Sequence, residues 1–215
     1  MESVSDRAIA QWSRQQLLGQ ILPFWLKHGI DEKYGAFFTC FANSGHRLTS
    51  TDKYVWSQGR FVAVLARVAL AMRSGLISGD PDPLIEAAAC GARFLRDHAL
   101  LPDHSVRYVL QRDGSTTGDD RDELRSIYAD CFTAMGFAEL SAAVQDKGWL
   151  KLAESIVANV ERVVDSEHVP TAPYQLPAGM RGYGERMNLL NAQRGLPPAG
   201  TPAGGARRPQ RAGRA

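Results

Sequence analysis

A chain of 215 residues, 44% apolar and 22% charged, is long enough to bury one sizeable core and carries a formal net charge of +2. The charge is uneven: residues 192–215 hold 6 Ala, 5 Gly, 5 Arg and 4 Pro without a single acid, and removing those five arginines leaves −3 on residues 1–191. A faintly acidic body excludes a basic nucleic-acid-binding surface; no apolar run approaches the ~18 residues of a membrane span, and the acid-bearing start MESVSDRAIAQ is unlike a secretory leader, so a soluble, cytoplasmic protein is expected.

In chain order, Ser5 is a plausible N-cap for a first helix that places Ile9, Trp12, Leu17, Ile21 and Trp25 near one face, with Pro23 expected to kink it. YGAFFTCF (34–41) and HRLT (46–49) then read as two short strands around a turn. A helix over 55–72 follows in which FVAVLARVALAM has Arg67 as its one charge, the mark of a helix buried on more than one side. After the breaker GDPDP, a helix over about 84–98 is amphipathic. VRYVLQ (106–111), closed by RDGS, is predicted as a second hairpin; 127–144 is a second nearly all-apolar helix; and 149–165 is again one-sided.

The two extended stretches begin 72 residues apart, at 34 and 106, and each is followed by an all-round apolar helix. Alternating one-sided and all-round apolar helices suit an outer and an inner ring, hence an internal repeat of an α/α toroid; an irregular helical bundle is the plainer alternative. Cys40, Cys90 and Cys131 are odd in number and lack CxxC spacing, so they are expected as buried thiols rather than disulfides or metal ligands.

The segment DKYVWSQGRFV (52–62) carries the most chemistry. Trp56 and Arg60 are four apart and share a helix face, while Gly59 costs about 1 kcal/mol against Ala in a helix unless something must approach closely there. Arg60 opens an almost uncharged helix, so its guanidinium needs a carboxylate, a carbonyl or a ligand oxygen. Pairing with Asp31 or Asp130 is the structural alternative to a functional role.

Over HGIDEKYGAFFTCFANSGHRLTSTDKYVWSQGRFV (28–62), and more weakly over IYADCFTAMGFAEL (127–140) and LPAGMRGYGERMNLLN (176–191), the chain resembles the N-acylglucosamine 2-epimerase family, including its renin-binding-protein branch. Ala36 stands where that family usually has a second Gly. The resemblance implies an all-α (α/α)6 barrel, truncated here to about half at residue 191, with short β-hairpins in its loops. It also implies an isomerase that inverts C2 of an open-chain hexose such as N-acetylglucosamine or N-acetylmannosamine by proton transfer, with no metal and no cofactor. By the same resemblance Arg60 is the catalytic arginine that steadies the enediolate, and Tyr128, Asn188 and Trp56 are substrate-binding. The resemblance puts the proton-transferring histidines in the second half of the barrel, and none of His28, His46, His98, His104 and His168 matches them, so this chain is expected to be inactive. A non-catalytic sugar-binding or protein-interaction fragment is the rival, and a glycoside hydrolase needing two carboxylates, from among Asp31, Asp52 and Asp130, ranks third. The small-molecule partner is a sugar; a homodimer is also expected from exposed apolar surface, with neither nucleic acid nor membrane. Residues 192–215 read either as an out-of-frame stretch of a GC-rich gene or as a disordered basic extension.

Overall fold

The computed structural model describes residues 5–174, 176–177, 179–180 and 182–196. Ser5 does cap the first helix, α1 (Asp6–Gln16), its Oγ accepting from the Ala8 N–H at 3.3 Å. The expected kink takes the form of a widened π-helical turn, Leu17–Ile21, leading into α2 (Leu22–His28). Proline lacks an N–H and its ring crowds the turn before it, so the ladder slips by one residue there and the Leu22 N–H donates to the Leu17 carbonyl.

The first hairpin is shorter than expected: β1 (Cys40–Phe41) pairs antiparallel with β2 (Leu48–Ser50), and residues 34–39 are not strand. Gly35 and Ala36 both turn through the left-handed region, at φ 81° and 60°, so that the Asp31 N–H reaches the Ala36 carbonyl at 3.0 Å. Two successive left-handed positions favour two glycines, and Ala36 occupies the second at a cost of roughly 1–2 kcal/mol. The predicted second hairpin needs a correction, because 106–111 does not fold back on itself. Its strand β4 (Val109–Leu110) pairs antiparallel with β3 (Lys53–Tyr54) instead, a pairing between distant segments that no local periodicity can announce.

β3 runs directly into α3 (Val55–Arg73); α4 (Asp82–Phe94), α5 (Ile127–Val144), α6 (Lys147–Val163) and α7 (Gly184–Gly195) complete the described helices. α3 packs on α5 and α5 on α7, making a row, while α4 rests against α3 and α5, and α6 against α5 and α7. That central place accounts for the near absence of charge on α5: with neighbours on both sides and behind, Ile127, Cys131, Phe137 and Leu140 are all buried. Tight connections keep the row in register. Gln145 ends α5 in the left-handed region, and Asp146 caps α6 by accepting from the Gly148 N–H at 2.8 Å. α3 is the one described helix long and apolar enough to cross a membrane, and half of it is buried within the protein against α4 and α5.

Among the thiols, Cys131 is buried, but Cys40 on the edge hairpin and Cys90 on the flank of α4 are only half-buried, contrary to expectation; all three are free. α7 continues to Gly195 with Ala192 only 1% exposed, so the first residues of the Ala/Gly/Pro/Arg-rich tail are helical. Residues 197–215 lie outside the described residues.

Two buried acids have opposite fates. Asp31 receives Arg112 in a bidentate pair, Nε to Oδ2 at 2.9 Å and Nη2 to Oδ1 at 3.0 Å, together with the Lys53 Nζ at 3.1 Å. Burial pushes its carboxyl up, yet the hydrogen bonds from Arg112 and Lys53 and the charge of Lys53 outweigh that and hold it at about 2. Asp130 has no ion-pair partner among the described residues, and the charge of Arg125 is only a minor influence on it. Its Oδ1 accepts from the Val106 N–H at 2.7 Å, and burial pushes its carboxyl up to about 7. A carboxyl raised above its unfolded value of 3.8 contributes stability that is complete below that pH and is lost as pH rises through about 7. Asp130→Asn keeps the acceptor for Val106 without the titration. Urea midpoints of wild type and Asp130→Asn should therefore diverge from pH 4 upward, the variant gaining on the order of 4 kcal/mol by pH 8; parallel pH profiles would show that Asp130 is ionised at little cost.

Candidate functional site

The start of α3 is tied to the loop before it by Gln58. Its fully buried amide accepts from the Phe37 N–H and donates to the Phe37 carbonyl, each at 2.9 Å. Phe37 in turn stacks on Phe61 with ring centroids 5.0 Å apart. One residue on, Gly59 faces the α5 backbone so closely that a Cβ there would stand 2.6 Å from the carbonyl carbon and oxygen of Phe132. Gly136 answers from α5, where a Cβ would stand 2.8 Å from the Gly59 carbonyl oxygen. The two glycines let α3 and α5 approach backbone to backbone, which is the close approach the sequence pattern asks of Gly59.

That approach sets Arg60 against Phe132. The guanidinium carbon lies 3.9 Å from the Phe132 ring centroid and 5.2 Å from that of Trp56. Arg60 is exposed, and among the described residues it has no hydrogen-bond or ion-pair partner. Neither candidate acid takes it: Asp31 is held by Lys53 and Arg112, and Asp130 by the Val106 N–H. Contact with two aromatic rings attracts the guanidinium charge but leaves its N–H groups without acceptors among the described residues, ready for the oxygens of a ligand.

Tyr128 lies one helical turn before Phe132 on the same face of α5, and its hydroxyl donates to Glu185 Oε1 at 3.1 Å. Burial, together with the Glu185 carboxylate, pushes the Tyr128 phenol up to about 12, which keeps it a protonated donor. A line of side chains therefore crosses the helix row: Trp56 and Arg60 on α3, Phe132 and Tyr128 on α5, Glu185 on α7. Asn188 stands one turn along from Glu185, its Nδ2 turned back to the Gly184 carbonyl at 2.8 Å.

None of the histidines makes a hydrogen bond or ring contact with this line among the described residues, although His168 and Glu185 line one cavity. His28 packs on Phe24 and His98 on Phe94, with centroids 5.3 and 4.8 Å apart; His46, His104 and His168 are exposed in turns and loops. The three aspartates a hydrolase would draw on are also dispersed, Asp52 being paired with Arg121 at 2.8 Å. No group of three His, Cys, Asp or Glu side chains that could hold a metal ion occurs among the described residues.

Among known proteins, the chain is 33% identical to human N-acylglucosamine 2-epimerase over 127 residues, and 30% identical to the Bos taurus N-acylglucosamine 2-epimerase over 162 residues, 74% of this chain. Over that part of its length the chain resembles the N-acylglucosamine 2-epimerase family. No protein-family model matches it. The chain spans only 28% and 36% of the length of those two relatives. In fold it is similar to the cellobiose 2-epimerase of Bacillus thermoamylovorans B4167, with a TM-score of 0.72 at 17% identity, covering 88% of this chain and 50% of that one.

Against the resemblance read from the sequence, the structure groups Trp56, Arg60 and Tyr128, and adds Phe132 and Glu185, which the sequence reading passed over. Phe132 had a signal, since it stands four residues after Tyr128 and shares its face. Glu185 had none, because its partner lies 57 residues away on another helix.

Proposed function

We propose that the described residues form about half of an α/α toroid of the sugar-epimerase type. Its inner row, α3, α5 and α7, would present Arg60 to the oxygens of an open-chain hexose such as N-acetylmannosamine or N-acetylglucosamine. The observation that carries this reading is the Arg60 guanidinium, set against the rings of Trp56 and Phe132 with its N–H groups unpaired among the described residues. Removal of the C2 proton beside a C1 aldehyde places charge on the C1 and C2 oxygens, and a fixed planar donor suits two adjacent oxygens. The names of the relatives, N-acylglucosamine 2-epimerase and cellobiose 2-epimerase, support the same reaction class.

Arginine does not move the proton, however. Inversion requires one group to remove it and another to return it on the opposite face, and among the described residues no hydrogen bond or ring contact joins any of the five histidines to Arg60. We therefore expect sugar binding without epimerisation. Incubated with N-acetylmannosamine in deuterium oxide, the purified chain should incorporate no appreciable deuterium at C2, while calorimetry detects binding that Arg60→Ala weakens at least ~10-fold and Arg60→Lys only partly restores. Appreciable exchange would overturn the inactivity; absence of binding to either sugar would overturn the site.

A further inference from the structure

Glu185 is the feature of this molecule that its packing leaves unexplained. The residue is only 3% exposed, and while Oε1 accepts from Tyr128, Oε2 is buried without a hydrogen-bond partner among the described residues. A carboxylate oxygen withdrawn from water and left unpaired costs more than an exposed one, so native structures rarely keep it without a reason. The backbone has made room for it. A Cβ at Gly182 would stand 2.2 Å from both Glu185 oxygens, and one at Gly184 would stand 2.7 Å from the Tyr128 hydroxyl. Two glycines thus let the chain before α7 lie directly over the Tyr128–Glu185 pair.

Glu185 also lines a cavity between the segment after α6, from Val164 to Val169, and the described residues from Leu176 to Met180 and at the start of α7. Val164, Val169, Leu176 and Met180 supply apolar walls, and His168 stands at the same cavity. A wall that is part apolar and part polar, with a buried, unsatisfied acceptor in it, suits the C–H face of a sugar ring or chain together with its hydroxyls. The alternative, a bound cation, is disfavoured by Arg186, whose guanidinium lines the same cavity and is paired with Asp165.

We propose that Glu185 is a sugar-hydroxyl acceptor: Oε2 takes a hydrogen bond from one hydroxyl of the bound hexose, while Oε1 holds the Tyr128 hydroxyl beside it. This rests on the sugar-site reading above and extends it, since Tyr128 connects Glu185 to the Arg60 cradle through α5. A carboxylate accepting from a ligand hydroxyl makes a charge-assisted bond, and a site built around such an acceptor discriminates against sugars that lack the donor.

The test uses the full chain with N-acetylmannosamine and its monodeoxy analogues as probes, in calorimetry and in thermal melts without ligand. Glu185→Gln keeps the shape and an acceptor for Tyr128. It should bind N-acetylmannosamine at least ~10-fold more weakly than wild type, and one deoxy analogue, the one lacking the partnered hydroxyl, should bind wild type and variant alike. In the absence of sugar the variant should melt no lower than wild type, because the unpaired buried charge is gone. Equal affinity of wild type and Glu185→Gln for the intact sugar, or a variant that melts distinctly lower, would overturn the assignment of Glu185 and leave Arg60 as the sugar contact. Failure of wild type to bind any of these sugars would overturn the sugar site itself and this inference with it.

Discussion

Replacing Asp31 by Ala should cost about 3–5 kcal/mol of unfolding free energy, measured in urea at neutral pH, because it strands a buried cation. Lys53 is 0% exposed, packs 4.4 Å from the Phe94 ring centroid, and has Asp31 as its carboxylate partner at 3.1 Å. Burial pushes the Lys53 amine down; once Asp31 is gone, the folded chain must either deprotonate it or leave the charge unpaired. Arg112→Ala should be much milder, since that side chain is 41% exposed and Lys53 still holds Asp31. The ordering also fixes a pH dependence. Asp31 is held at about 2 against an ordinary 3.8, so its contribution is complete above pH 4 and is lost as pH falls from there toward 2. Asp31→Ala should flatten the stability profile in that window; two variants of equal cost would show that the triad does not depend on its buried member.

Gly59→Ala should disable the site by moving a helix. The added methyl would meet the carbonyl carbon and oxygen of Phe132 at 2.6 Å and the Thr133 nitrogen at 2.7 Å. These are backbone atoms of a helix packed on both sides, and no rotamer change relieves the overlap. The expected cost is about 3 kcal/mol, the upper end of overpacking. The Arg60–Phe132 contact should open with it, so sugar affinity falls even where the variant remains folded. Gly19→Ala is the control: nothing lies within 4 Å of its Cβ position, so it should be neutral or raise the melting temperature. If Gly59→Ala melts and binds like wild type, α3 and α5 are not locked at this crossing.

Much of this was open to reading in the chain. The all-round apolarity of FVAVLARVALAM and of 127–144 placed α3 and α5 inside, since a helix without a polar face has nowhere else to go. The WSQGR segment marked its own chemistry: glycine beside arginine, in a helix almost free of charge, is tolerated only where a neighbour comes close and a ligand or partner waits. The second hairpin misled, because strand periodicity says that a segment is extended and not what it pairs with. VRYVLQ found its partner in Lys53–Tyr54 rather than across its own turn.

The identity of Arg60's neighbours was decided only in three dimensions. Asp31 and Asp130 were its natural candidates from composition, and both are claimed elsewhere, one by Lys53 and Arg112, the other by a backbone N–H. What the sequence determined by itself is which helices are buried, where they begin, and that one arginine stands near the head of one of them; those follow from local patterns of side chains along a single element. Which ring faces cradle that arginine, and which carboxylate is left with an empty oxygen beside Tyr128, depends on residues tens of positions apart meeting across three helices, and tertiary packing alone sets those distances.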